Sequence, residues 1–450
     1  GDDSSTADAQ INAPEKNDST QQSKPLLILH VGPPKTATTT IQDACTKYDT
    51  LLQSDQYHYL GKVNWEYADK FKGDEVFRAF FYACYNPSPE IYNAEKCEEE
   101  RVKFKLILQQ HLDAGHNVIA SDESMSVFEI LNSKSGWKMF HETFDGFHIR
   151  VVIAYRRYHE WLLSMYRHLY IAAPYHLYMR EYPDNGGAVV PTFAEFAQKV
   201  LSSRWEKNKA NNDDEEQDLV LDGVEARPTI GLGDEHATLH TYKLFREVFG
   251  LEDVVILNHH DVNKRNILLQ FMCDALPSAH KTCAALKKAR NLHSYRSLSH
   301  TVAYELITQR AYELYPELAD VKRRKLFLHV KEVGYAAMHT QYMKCGKGLS
   351  REERRRKCNM NGIDFPLVCD MDGDVETLLL NRTKKYEEEV KQLPGLLHRD
   401  GMSTLELEES FASAVQSKTF CSVDVDEALR GFWGNALLRR QQRKWQSQLV

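Results

Sequence analysis

A lysine and a run of hydroxyls stand where an apolar segment gives way to a helix: Leu26 to Gln42 reads LLILHVGPPKTATTTIQ, with Lys35 its only lysine. This is chemistry for an anion. The first N–H groups of a helix and the positive end of its dipole attract a phosphate ester. A lysine and directed hydroxyls add charge-assisted hydrogen bonds. Thr38, Thr39 and Thr40 are poor helix interior, because β-branched side chains lose χ1 freedom there. Hydroxyls at work on a ligand would account for that cost; without one, the stretch is only a threonine-rich turn.

The details narrow the anion. A nucleoside-triphosphate loop, G-x-x-x-x-G-K-[ST], laid from Gly32 requires glycine at 37 and lysine at 38. The chain has Ala37 and Thr38. Its lysine comes earlier in the loop, which argues against an ordinary ATPase.

A second cationic centre, Arg156-Arg157, ends the β-branched run HIRVVIAY (148–155). Such a run reads as a buried parallel strand. The helix expected after it places Trp161, Leu162, Met165 and Leu169 on one face and carries Ser164 and Tyr166. An arginine fork at the strand tip can reach a phosphate while the helix brings the Ser164 hydroxyl alongside. The plainer alternative is two surface arginines and an incidental serine.

The segment HVGPPKTATTTIQ resembles the 5′-phosphosulfate loop of sulfotransferases that use 3′-phosphoadenosine 5′-phosphosulfate (PAPS). Arg156, Ser164 and Tyr166 are similar to their 3′-phosphate motif. The resemblance spans roughly residues 25–297, and only these two motifs are specific. It implies a PAPS-dependent sulfotransferase acting without a metal on a hydroxyl or amine; a carbohydrate is the preferred acceptor from the stem, glycosylation triplets and cysteines, with protein tyrosine and a small metabolite left open. Lys35 would steady charge on the phosphosulfate bridge, and Thr36, Ala37, Thr38, Thr39 and Thr40 would line the 5′-phosphate. Arg156 and Ser164 would hold the 3′-phosphate. The family commonly places a general base after the second strand, where this chain has Ser121-Asp122-Glu123-Ser124. Glu123 is the first choice and Asp122 the second; either could instead cap a helix, and a histidine elsewhere stays open.

The resemblance also implies a Cys273–Cys283 disulfide, followed by a basic donor-covering segment that includes Lys288 or Arg290. The polar stem, glycosylation triplets and cysteines suggest the Golgi lumen, with a membrane anchor ahead of this chain, or secretion. Competing readings are a kinase with a divergent phosphate loop and an inactive glycan-binding module.

Positioning these residues requires strands near 26–31, 117–120, 149–155 and 253–258. Helices are expected over 101–113, stopped by Gly115, and over 239–249, stopped by Gly250, with a further helical stretch over 261–276. The expectation is a three-layer, phosphate-loop-like α/β fold with a central, mostly parallel sheet flanked by helices. Residues 1–23, rich in Asp, Ser, Gln and Asn, read as a disordered stem. The core is expected over 24–300, with an acidic insertion at 206–235 that reads as a surface loop or an acceptor-side lid. Residues 301–450 read as mostly helical and packed on the core, with a helix over 301–315. Basic clusters at 322–325 and 351–357, and a basic ending at 437–445, read as solvated helix faces; the first two could instead meet a polyanionic glycan.

The 450 residues carry a net charge of -7, which disfavours a general nucleic-acid binder. Nine cysteines leave one unpaired or intermolecular if the others are bridged, and no C-x-x-C pair suggests a structural zinc site. Glycosylation triplets occur at Asn17 and Asn381, while Pro87 spoils the one at Asn86. No run of eighteen apolar residues could span a membrane.

Overall fold

The computed structural model describes residues 24–61, 75–85, 93–126, 134–167, 191–202, 219–221, 224–226, 236–261, 266–289, 299–315, 325–334, 367–399 and 402–430. Its centre is a sheet of β1 (Leu26–Gly32), β2 (Tyr57–Tyr59), β3 (Asn117–Ser121), β4 (His148–Tyr155) and β7 (Val254–Asn258). The strand order is β2-β3-β1-β4-β7 and every neighbouring pair is parallel. A separate antiparallel pair, β5 (Leu219–Leu221) and β6 (Val224–Ala226), precedes β7.

The strands are apolar on both faces because both faces are covered. Leu27, Leu29 and Val31 of β1 join one core with Val118, Ala120, Val151, Ile153 and Ile256. The alternate residues Ile28, Ile119, Val152, Ala154 and Leu257 join the other. That two-residue alternation is the strand period itself, and helices on both sides complete three layers. One side is covered by helices that include Glu75–Tyr85, Ala94–Asp113, Tyr158–Arg167 and Gly373–Lys391. Thr38–Lys47, Asp49–Ser54, Ile267–Leu269 with its π-turn Gln270–Ala275, and His280–Lys288 cover the other.

The Ala94–Asp113 helix runs seven residues further towards its N-terminus than the apolar pattern predicts, because Asn93 caps it through a hydrogen bond from the Lys96 N–H. At its other end Gly115 takes φ 67°. The Gly115 and His116 amides donate to the Leu112 and His111 carbonyls, a paired closure that a left-handed residue makes possible.

The C-terminal half completes the sheet. Ile256 accepts from the Leu397 N–H and donates to the Gly395 carbonyl, so residues 395–397 run along the outer edge of β7. A Cβ on Gly395 would collide with the Val254 carbonyl oxygen, so only glycine fits there.

Three differences from the sequence expectations stand out. The edge strand β2 was not anticipated; at three residues it is too short for a period to register. The acidic insertion contains the β5–β6 pair, whose intervening Asp222-Gly223 is a hairpin signal, while the rest of 206–235 lies outside the described residues. Of the 261–276 stretch, Ile267–Leu269 is α-helical and Gln270–Ala275 continues as a π-turn, while 262–265 lie outside the described residues.

Disulfides join Cys84–Cys97, Cys273–Cys283 and Cys369–Cys421, and Cys45 is a buried free thiol. Among the described residues no helix is long and apolar enough to cross a membrane. Asn381 is exposed, but the Thr383 of its triplet is buried, its hydroxyl donating to the Leu379 carbonyl. The expected stem, Asn17, Leu169, Arg290, the 351–357 cluster, the 437–445 ending and most of the 322–325 cluster lie outside the described residues.

Candidate functional site

Strand β1 has β3 on one side and β4 on the other, so the chain order reverses at its carboxyl end. Open α/β sheets bind ligands in the crevice at such a point. The segments leaving β1, β3, β4 and β7 meet here.

The segment after β1 leaves the sheet at Gly32, φ 96°. A Cβ at Gly32 would lie 3.3 Å from both Cα and Cβ of Glu123, so the glycine lets the two segments touch. Lys35 and Ala37 are both left-handed, each at φ 66°. Each such residue costs roughly 1–2 kcal/mol without glycine's freedom, and the loop is braced against that strain. Four consecutive carbonyls are all taken. Pro33 accepts from Thr36 Oγ1 at 2.5 Å, Pro34 from Trp161 Nε1 at 3.0 Å, Lys35 from Arg156 Nη1 at 3.3 Å and Thr36 from His259 Nε2 at 3.2 Å.

Ala37 is the N-cap of the Thr38–Lys47 helix and offers no side-chain cap. Serine, threonine or aspartate there would occupy the first-turn amides; alanine leaves the Thr38, Thr39 and Thr40 amides without a side-chain cap. Thr36 and Thr38 are buried, whereas Lys35, Thr39 and Thr40 are half-buried.

Arg156, at the end of β4, connects this loop to the second motif. Its Nη1 reaches the Lys35 carbonyl and its Nε pairs with Glu160 at 3.3 Å. The spacing Arg156, Glu160, Ser164, Arg167 follows one helical face. The Glu160 carboxyl resists burial and sits at about 2, because His260, Arg156 and His159 favour its charge. Ser164 is half-buried and its hydroxyl makes no hydrogen bond among the described residues.

Arg167 was not anticipated. Burial, and then the charge of Arg156, lower its pKa, so the two guanidinium groups feel one another's charge. An anion between them would relieve both costs. The sequence signal was available: an arginine three residues beyond the serine, on the same face. Tyr166 serves the fold instead, its hydroxyl donating to the Pro191 carbonyl at 2.7 Å and its ring packing on Phe193 and Phe196.

Arg157 points the other way, into the core. Its Nε and Nη2 donate to Glu387 of the Gly373–Lys391 helix at 3.2 and 3.3 Å, and Tyr155 donates to the same carboxylate at 2.8 Å.

Three histidines fasten these strand ends. His236 accepts the Thr238 N–H at Nδ1, so its Nε2 carries the proton donated to the Arg156 carbonyl at 3.1 Å. His260 Nε2 accepts the Arg157 N–H at 3.0 Å, and His259 holds Thr36. Burial lowers all three, His236 and His259 to about 4 and His260 to about 3, so they are neutral props near pH 7.

Glu123 opens the short turn Glu123–Ser126 after β3 and is half-buried, whereas Asp122 is fully buried with its amide donating to the His30 carbonyl at 3.0 Å. Of the two, Glu123 is the less buried, although its Oε2 is enclosed. His30, hydrogen-bonded to Ser121 at 2.7 Å, is lowered to about 4 by burial, against the opposing charge of Glu123.

The predicted residues on the β1 loop, Arg156 and Glu123 therefore share the carboxyl edge of the sheet, with Ser164 on the face Arg156 begins. Cys273–Cys283 ties the π-turn after β7 to the next helix, where Lys288 is exposed in the last turn. No family model matches this chain, and neither a curated protein nor a solved structure shows detectable similarity to it.

Proposed function

We propose that the protein is a PAPS-dependent sulfotransferase with a phosphate-loop-like donor site. The observation that carries the reading is the Arg156–Lys35 contact, which joins an uncapped, braced phosphate loop to a second cationic face. A donor with phosphate groups at both its 5′ and 3′ positions needs two such grips at once; ATP needs one.

The 5′-phosphosulfate sits on the Thr38–Thr40 amides, with the Thr38 and Thr39 hydroxyls beside it and Lys35 at its bridge, while the Thr36 hydroxyl is committed to the Pro33 carbonyl. The 3′-phosphate lies against Arg156 and Ser164, with Arg167 adding charge. Glu123 takes the proton of the acceptor hydroxyl as its oxygen bonds to sulfur. The S–O bond to the 5′-phosphate breaks, and its electron pair leaves on that phosphate beside Lys35. Positioning and fixed charges carry such an in-line displacement.

A carbohydrate hydroxyl is the acceptor in this reading and the Golgi lumen or cell exterior the location, supported by the three disulfides among the described residues. The test is thermal stabilisation by 3′-phosphoadenosine 5′-phosphate against ATP, repeated on Arg156→Ala. Stabilisation by the first ligand alone, lost in the variant, is expected. Equal stabilisation by both ligands overturns the reading. Transfer of labelled sulfate to a glycan panel, abolished in Lys35→Ala, then identifies the acceptor.

A further inference from the structure

The opposite edge of the same sheet holds a second constellation. His58 is the middle residue of β2, His111 lies in the last turn of the Ala94–Asp113 helix, and His116 immediately precedes β3. Each offers one ring nitrogen such that the three nitrogens lie within 4.8 Å of one another. The His58 ring centroid is 4.5 Å from each of the other two, which are 5.9 Å apart.

The backbone holds this arrangement. The His116 N–H donates to the His111 carbonyl at 2.8 Å across the left-handed Gly115, so those two residues are tied through the helix stop. Parallel pairing of His58 with Val118 brings the third alongside. All three are half-buried, leaving a path for a hydrated ion and room for a further ligand.

We propose that His58, His111 and His116 form a binding site for a late first-row divalent cation, Zn2+ in the first instance. Neutral imidazole is the ligand such ions favour. Three protein nitrogens at about 2.0–2.1 Å, with one open position, is an established zinc arrangement. Nitrogens around one tetrahedral ion stand roughly 3.3 Å apart at those bond lengths, so modest ring rotations close the set. A bound ion would clip the three-residue edge strand to the helix and to the entry of β3. It would lie across the sheet from Lys35 and Arg156 and take no part in their chemistry. The absence of C-x-x-C pairs does not bear on it, since the ligands come from separated positions.

The experiment is Zn2+ titration of the metal-stripped full chain by calorimetry and thermal shift, with X-ray absorption on the Zn2+-loaded wild type. One equivalent should bind, raise Tm and show an imidazole-nitrogen shell. His111→Ala and His58→Gln should each weaken binding by at least the ten- to hundredfold typical of losing a supporting partner. Circular dichroism without metal separates lost ligation from lost folding. Unchanged affinity in the folded variants overturns the proposal. So does an absorption spectrum without an imidazole shell, which needs no variant at all.

Discussion

Arg156 and Arg157 are adjacent, yet they belong to two different regions at the end of β4. Arg156 faces the crevice, with 30% of its side chain exposed, and contacts the loop that holds Lys35. Arg157 is 5% exposed and paired with Glu387, itself 1% exposed. Successive residues leaving a strand point to opposite faces, so one arginine meets solvent and the other the core. Charge alone therefore does not mark a ligand site. What marks Arg156 is exposure combined with a neighbouring cation, Arg167, and an open helix start. Arg157 has its counter-charge built in.

The sharpest way to break this contrast is Arg157→Ala. Removing one partner of a buried ion pair leaves an uncompensated carboxylate and costs about 3–5 kcal/mol. Arg156→Ala should cost less than about 1 kcal/mol. Urea denaturation of both variants checks this, and equal losses would dissolve the distinction between the two regions.

Acid should attack the buried region next. Unfolded histidines titrate near 6.5, whereas His236 and His159 sit at about 4 in the native protein. Above pH 6.5 both states are neutral there and stability is full. As pH falls from 6.5 towards 4, only the unfolded state takes up protons, so stability drops by up to about 1.4 kcal/mol per pH unit for each fully buried ring. His259 and His260 add in the same direction. Neither ring nitrogen of His159 has a hydrogen-bond partner among the described residues, and the ring packs edge-on against Phe411 and Phe420. His159→Phe should therefore flatten the profile of Tm against pH; an unchanged slope would remove His159 from this account.

Smaller effects test the crevice side. Trp161→Phe deletes the donor to Pro34 and should cost about 1 kcal/mol, with weaker response to 3′-phosphoadenosine 5′-phosphate because the loop loses a brace. Ser164→Ala should leave stability within about 0.5 kcal/mol while reducing that ligand response. A Ser164 variant with a full response would take the hydroxyl out of the donor site.

Much of the frame was legible from local pattern. Four of the central strands were readable as apolar runs, because burial on both faces leaves few polar residues, such as His30 and Arg150, to interrupt them. The β1 loop declared itself through Lys35 and the threonines, and the helix stop through Gly115. Strand β2 escaped because three residues carry no period. Arg167 was overlooked although its spacing from Ser164 puts it on the same face, because only the fold shows that it feels the charge of Arg156.

By itself the sequence determined four of the five central strands, the loop between Gly32 and Thr38, and the positions of Arg156 and Ser164, since each follows from residue type and short-range period. Only the tertiary structure decided the order β2-β3-β1-β4-β7, which arginine meets solvent, and that Glu387 balances Arg157 across 230 residues. It alone brought His58 to His111 and His116. The physical reason is range. Side-chain alternation and helix capping act over a few residues and leave their mark locally, whereas charge pairing and ligand assembly depend on distances that exist only once the sheet has closed.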